Sequence, residues 1–388
     1  MKLADRMKRL GTETAFEVLM KARKLEADGA DIIHLEIGEP DFDTPRNIID
    51  AGVTALNSGF THYGPSPGLQ EVRDRIAQEI VDSRNISVSG DNVVITPGGK
   101  PIMFFAILAL INEGDEVLYP NPGFPIYESM INFVGGVPVP MKLLSDRDFR
   151  IDIDEVSTQI TPNTKLMIIN SPNNPCGSII EHSDLEELAR LAKENDILVL
   201  SDEIYSRLLY EGQHHSIAAF EDMLDRTIIL DGFSKTYAMT GWRVGFGIMP
   251  VDLVEPISRL STNSVSCTAA FTQMAVLEAM NGPQDDADHI VNEFKKRRDI
   301  IVNGLNNIKG IRCPMPTGAF YIFPNVEGTG MTSREFADGL LEEGGVAGLA
   351  GESFGKYGKG CVRFSFANSA ENIERALERI DNFVKSKV

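Results

Sequence analysis

The sequence predicts an α/β protein, with a large domain built on a mainly parallel β-sheet sandwiched by helices and a smaller α+β lobe attached to it. Three observations carry this reading. Short apolar runs recur at intervals of about 30 residues, at 165–170 (KLMIIN), 197–201 (ILVLS) and 227–231 (TIILD), which is the spacing of βαβ units. A helical pattern of Leu185, Leu188, Leu191 and Ala192 fills the interval between the first two runs. The chain of 388 residues also exceeds what one hydrophobic core usually holds.

In chain order, residues 1–45 read as an N-terminal segment joining the small lobe, 46–282 as the large domain and 283–388 as the small C-terminal domain. Strands are expected at 93–96 and 116–119, separated by Pro97-Gly-Gly-Lys100 and a strongly helical run from Ile102. Strands this apolar on both faces belong in a parallel sheet covered on both sides. Ser183-Asp-Leu-Glu186 has the form of a capping box and is expected to start the crossover helix. Gly, Pro and Asp break the pattern at 280–288, and a long helix through Phe294, Ile300, Ile301 and Leu305 opens the second lobe. There a strand is expected at 318–324, a helix capped by Thr332 with Glu335, a strand at 362–366 and a last helix from Ser369. No internal repeat is present.

Composition limits the function. Hydrophobic residues make up 43% and charged residues 24%, ordinary values for a soluble globular enzyme that folds throughout. The net charge of −19 repels phosphate backbones and anionic lipid, so neither nucleic acid nor a membrane is an expected partner. A small anionic substrate stays open, since a few buried arginines can reverse the local potential. Cys176, Cys267, Cys313 and Cys361 are scattered without a C-x-x-C pair, which suits a reducing, cytoplasmic setting. The N-terminus has no apolar h-region, and the most apolar stretch, 101–111, is too short to span a bilayer. None of the six histidines stands in a metal-ligand spacing, so no metal is expected. His214-His215 reads as a solvated loop and Asp285-Asp286 as a solvated helix start.

Chemistry is expected where the three strands end. Ser171-Pro-Asn-Asn-Pro-Cys-Gly177 follows the first, Asp202-Glu-Ile-Tyr205 the second and Phe233-Ser-Lys235 the third. In open α/β sheets ligands bind at the carboxyl ends of the strands, so one cleft receives an amide, a carboxylate, a phenol and an amine. Each cluster alone has an ordinary explanation as a turn or a helix cap; their placement on consecutive strands does not. An amine there suits Schiff-base chemistry, because burial and nearby positive charge lower its pKa. Arg243, in Thr240-Gly-Trp-Arg-Val-Gly245, is suited to gripping phosphate, and Pro97-Gly-Gly-Lys100 offers a helix N-terminus to an anion. Gly351-Glu-Ser-Phe-Gly355-Lys356 is one residue short of a P-loop, and no G-x-G-x-x-G occurs.

These residues, with Gly38-Glu-Pro-Asp-Phe-Asp-Thr-Pro45, His62-Tyr-Gly-Pro65, Ser201-Asp-Glu-Ile-Tyr205, the run from Gly232 to Gly245 and Val362-Arg-Phe-Ser-Phe366, give the sequence a clear resemblance. It resembles the class I/II aminotransferase family of fold-type I pyridoxal-phosphate enzymes, of the aspartate and aromatic aminotransferase kind, over nearly its whole length. The resemblance implies pyridoxal 5'-phosphate as cofactor and Lys235 as the lysine that holds it covalently. Asp202 would pair with the ring nitrogen, Asn174 and Tyr205 with the phenolic oxygen, and Phe124 would stack on the ring. Gly99, Lys100 and Arg243 would hold the phosphate, with Tyr63 reaching it from the other subunit of a homodimer. Arg363 would clamp the substrate α-carboxylate and Gly38 would donate to it from the backbone. Two positions depart from the family's habit: Cys176, where Thr is usual, and Gly232, where a phosphate-binding Ser is common; Ser234 would stand in for the latter.

The activity implied is a ping-pong exchange of an amino group between an L-amino acid, such as aspartate or an aromatic amino acid, and 2-oxoglutarate. A carbon–sulfur lyase or a related lyase of the same fold is the alternative within the family. A non-catalytic regulator would need a DNA- or partner-binding appendage, and residues 1–45 are too short and insufficiently basic for one. No second arginine marks a site for a side-chain carboxylate, so the preferred donor is not legible.

Overall fold

A computed structural model describes residues 2–387. Its strands in chain order are β1 (Ile33–His34), β2 (Val93–Thr96), β3 (Glu116–Asn121), β4 (Val137–Leu144), β5 (Arg150–Ile151), β6 (Thr164–Asn170), β7 (Leu198–Asp202), β8 (Thr227–Gly232), β9 (Gly245–Ile248), β10 (Tyr321–Ile322), β11 (Val346–Ala347), β12 (Leu349–Ala350) and β13 (Val362–Ser365). Eight of them form one sheet in the order β2-β9-β8-β7-β6-β3-β4-β5. The pairs from β8 through β7, β6 and β3 to β4 are parallel. The expected parallel sheet is therefore present at the centre and mixed at both margins: β9 runs antiparallel to β8 and β2, and β5 antiparallel to β4.

Both faces of this sheet are covered, as the apolar runs require. Alternate residues of β6 point to opposite sides: Leu166 and Ile168 pack with the helices Lys100–Leu110, Ile126–Val134 and Val251–Val265, while Met167 and Ile169 pack with His182–Glu194. A third cluster covers β2, β8 and β9 with the helices Gln70–Arg84 and Ala270–Asn281. The crossover helix starts at His182, and the expected capping box does not form. Its N-cap is Glu181, without a side-chain cap, so Ser183 already lies inside the helix. Arg150 of β5 instead ties that first turn to the sheet, its guanidinium donating to Asp184 at 2.6 and 2.7 Å.

The rest of the chain builds a second core from the helices Asp285–Asn306, Ser333–Gly339 and Ala370–Lys387 around β10 and β13. The Thr332–Glu335 capping box is formed, with Glu335 N on Thr332 Oγ1 at 3.2 Å and Thr332 N on Glu335 Oε2 at 2.9 Å. The strand expected over 318–324 is only two residues long. Bridges and turns hold its flanks, Gly318 pairing with Leu209 and Asn325 with Arg312 and Cys361. N-terminal β1 pairs in parallel with β11, so the early chain is stitched to this second body. The acidic first turn of Asp285–Asn306 carries Asp285, Asp286 and Asp288 at the positive end of the helix, where carboxylates are favourable.

Candidate active site

The registers Asn170↔Asp202 and Asp202↔Leu230 bring the carboxyl ends of β6, β7 and β8 level. A cavity of about 350 Å³ opens there. Gly38, Gly99, Lys100, Phe124, Asn174, Asp202, Tyr205, Ser234, Lys235, Arg243 and Arg363 all line it. Tyr63 does not: it is 89% exposed and away from the cavity.

Lys235 Nζ donates to the Gly38 carbonyl at 2.6 Å and lies 5.7 Å from the centre of the Phe320 ring. Burial lowers its pKa to about 8, and the nearby cations Lys100 and Arg363 act in the same direction against Glu39. A neutral amine is thus within reach near physiological pH. Asp202 is buried and accepts from Tyr127 Oη at 2.6 Å and from the Ile204 amide at 3.3 Å. Burial raises its pKa to about 6, while those two donors hold it down. A cationic group beside it would favour the carboxylate form. The Tyr205 hydroxyl pairs with that of Tyr321 at 2.9 Å, and burial pushes both phenols up.

Arg363 is buried with its guanidinium carbon 4.6 Å from the Tyr321 ring centre and 5.0 Å from that of Phe354. It donates to Asn174 Oδ1 at 3.1 Å and to the Glu36 carbonyl, and its Nε has no partner. A buried cation with an unused donor is suited to a carboxylate. The second anion-binding feature is the N-terminus of Lys100–Leu110, whose N-cap Gly99 provides no side-chain cap. Gly98 has φ +85°, and a Cβ there would strike Arg243 Nη2, so only glycine lets that guanidinium close over the loop. Arg243 itself is left-handed at φ 51° and donates to Thr240 O at 2.9 Å. The cradle of uncapped amides, Arg243 and Ser234 fits a phosphate, Asp202 fits a ring nitrogen, and Lys235 fits an aldehyde; the residues present match pyridoxal 5'-phosphate.

The Lys100 ammonium is ion-paired with Glu13 and lies 5.4 Å from the Phe124 ring centre. It is therefore the loop backbone that is free to face an anion here, while the Lys100 side chain is engaged by Glu13. Sequence reasoning overlooked Glu13, Tyr127, Asn170, Thr240 and Tyr321, all lining the cavity. Asn170 had a signal, a lone amide ending an apolar run; its Oδ1 accepts from the Asn174 amide at 2.8 Å and its Nδ2 reaches Asp202 O at 3.0 Å. Tyr321 looked like one more aromatic of a strand.

The reading of His214 as a solvated loop residue is corrected. Its side chain is 9% exposed and its Nε2 lies 2.8 Å from buried Glu203 Oε2, which also accepts from Arg84 Nε at 2.9 Å. Arg84 Nη2 in turn donates to Asp231 Oδ2 at 2.6 Å. This network joins the ends of β7 and β8, where Glu203 directly follows Asp202 in the chain. Burial alone would raise Glu203, but His214 and Arg84 hold it down at about 2.

Comparison with known proteins agrees with this geometry. The family profile for aminotransferase class I and II matches residues 30–380. The chain is 38% identical to an aspartate aminotransferase of Bacillus sp. (strain YM-2) over 99% of each, and 36% identical to aromatic-amino-acid aminotransferase 2 of Thermococcus litoralis over 100% of this chain and 99% of that one. It superposes on the aspartate aminotransferase from Thermus thermophilus with maleate at a TM-score of 0.95, with 35% identity, covering 99% of this chain and 100% of that one.

Proposed function

Since the chain belongs to the class I and II aminotransferase family and is an aminotransferase, we propose that it uses pyridoxal 5'-phosphate to exchange the amino group of an L-amino acid, aspartate or an aromatic amino acid, with 2-oxoglutarate by a ping-pong route. The family is generally dependent on that cofactor. When bound, the cofactor supplies an aldehyde for the amino group and a ring that accepts electrons from the α-carbon. The observation that carries the reading is the confluence of Lys235, Asp202 and Arg363 in one cavity of about 350 Å³.

Each residue then has a task. Gly99, Ser234 and Arg243 hold the phosphate, Phe124 covers one face of the ring, and Asn174 and Tyr205 donate to its phenolic oxygen. Asp202 keeps its charge beside the ring nitrogen because Tyr127 and the Ile204 amide donate to it. Arg363 orients the donor by its α-carboxylate, which Gly38 also faces. Burial lowers the Lys235 pKa to about 8, so a neutral fraction of its amine, freed when the donor's amino group takes its place, can accept the proton from the donor's α-carbon at Nζ and deliver it to the cofactor carbon that would keep the amino group. Two copies would complete two sites, with Tyr63 of each reaching the other's phosphate cradle. Incubation with phenylalanine or aspartate and 2-oxoglutarate is expected to form glutamate. Release of pyruvate and ammonia from cysteine, with no glutamate formed from phenylalanine or aspartate, would instead favour the lyase, a reading that none of the relatives above supports by name.

A further inference from the structure

Residues 33–38 run from the second body into the cavity wall. Ile33 and Leu35 donate to Gly345 O and Ala347 O at 2.9 and 3.1 Å, and Leu35 O accepts from Ser365 N at 2.7 Å. Beyond Leu35 the backbone changes partners. The Glu36 carbonyl accepts from Arg363, and the Gly38 carbonyl accepts from Lys235 Nζ at 2.6 Å. One three-residue stretch thus holds both the amine and the guanidinium on which the reaction depends.

The Glu36 side chain is 0% exposed, a costly place for a carboxylate without partners. Its Oε1 lies 2.8 Å from His34 Nδ1, and its Oε2 has no partner. His34 Nε2 is 3.1 Å from Glu26 Oε1 on the helix Thr14–Ala27, and His34 O accepts from Asn368 Nδ2 at 3.0 Å. Residues 34 and 36 share one side of an extended chain, so the pair braces the strand up to the carbonyl that meets Arg363. The hydrogen bond to Glu36, opposed by burial and helped by Glu26, raises the His34 pKa to about 9, so both ring nitrogens donate at neutral pH. Neither residue lines the cavity.

We propose that the buried Glu36–His34 pair is the positioning element for the substrate α-carboxylate, fixing the Glu36 carbonyl and through it the orientation of the Arg363 guanidinium. This rests on the reading of Arg363 as the α-carboxylate clamp. Glu36 and His34 are positioning residues: they act on Arg363 and touch no substrate. The consequence is selective, because only the part of the substrate that Arg363 holds should sense their loss.

The experiment compares phenylalanine with phenethylamine, which has the same amine and side chain and no carboxylate, in the first half-reaction of the holoenzyme. Glu36→Gln is expected to lower kcat/KM for phenylalanine by about 10-fold, mostly through KM, and to leave phenethylamine within about 2-fold. His34→Gln, at a partly exposed site, should give the same signature with a smaller loss and carries the test if Glu36→Gln does not fold. Equal losses for the two substrates, or no change for either, would overturn the proposal. Arg363→Lys is the control: if it leaves the phenylalanine-to-phenethylamine ratio intact, the clamp reading falls. If it collapses the ratio and the Glu36 and His34 variants do not, only the positioning proposal falls.

Discussion

Asp202 shows how much a single residue depends on its surroundings. Burial moves it toward neutrality, and two donors pull it back toward the carboxylate that the proposed pairing with a ring nitrogen requires. Asp202→Ala is expected to cut turnover by several orders of magnitude with the fold retained; near-normal transamination would make Asp202 a structural residue. Arg363→Lys replaces a planar fork by a point charge between two aromatic rings. A buried contact of this kind is worth about 2 kcal/mol or more, so kcat/KM should fall by about 30-fold for aspartate, phenylalanine and alanine alike. A loss confined to aspartate would place Arg363 at the side-chain carboxylate. For Lys235, competitive acylation of the cofactor-free protein should show a midpoint near pH 8, whereas solvated lysines titrate from 10.5. A midpoint at 10 or above would mean that the cavity does not lower its pKa.

At the scale of elements, the strands at 93–96, 165–170, 197–201 and 227–231 were legible because each is an apolar run bounded by polar turns. β9 was not: Gly-Phe-Gly-Ile carries too little apolar periodicity to declare itself, and only pairing to β2 and β8 makes it a strand. β4 hid behind two prolines, Pro138 and Pro140. The helix box at Thr332 is formed and that at Ser183 is not, because the latter helix begins one residue earlier, at His182, with Glu181 as its N-cap. The same asymmetry holds for the site. Lys235, Asp202 and Arg363 stand in recognisable motifs, whereas Tyr127, Tyr321 and Glu13 enter the cavity only through packing of elements far apart in the chain.

Two predictions belong to elements. Gly98→Ala should strain the loop at φ +85° and push Arg243 away, so the cofactor is retained about 10-fold less tightly in a dialysis titration; unchanged retention would separate this loop from the phosphate. The His34 brace should also be visible in stability. Its folded pKa of about 9 lies above the ordinary 6.5, so its contribution is fully present below pH 6.5 and lost as pH rises through about 9. The thermal midpoint of the wild type should therefore fall relative to that of His34→Gln as pH is raised from 6 to 10. Parallel pH profiles would show that His34 is not raised.

At the scale of the whole molecule, an acidic chain with net charge −19 gathers Lys235, Arg243 and Arg363 around one cavity, with Lys100 there paired to Glu13, an arrangement that suits the proposed anionic cofactor and substrate. No helix among the described residues is long and apolar enough to cross a membrane. Tyr63, exposed and remote from its own cavity, makes sense if it serves a second copy. Mixing Lys235→Ala with Tyr63→Ala chains under exchange conditions should then restore activity that neither variant has alone, because one hybrid site contains both residues. Absence of any recovery would place Tyr63 outside the site.

The proposed covalent link between the Lys235 amine and the cofactor is open to direct measurement. Borohydride reduction of the purified, cofactor-loaded protein followed by peptide mapping should place the reduced label on Lys235, with Lys235→Ala unlabelled. A label on any other lysine, or none in a protein that binds the cofactor, would contradict it.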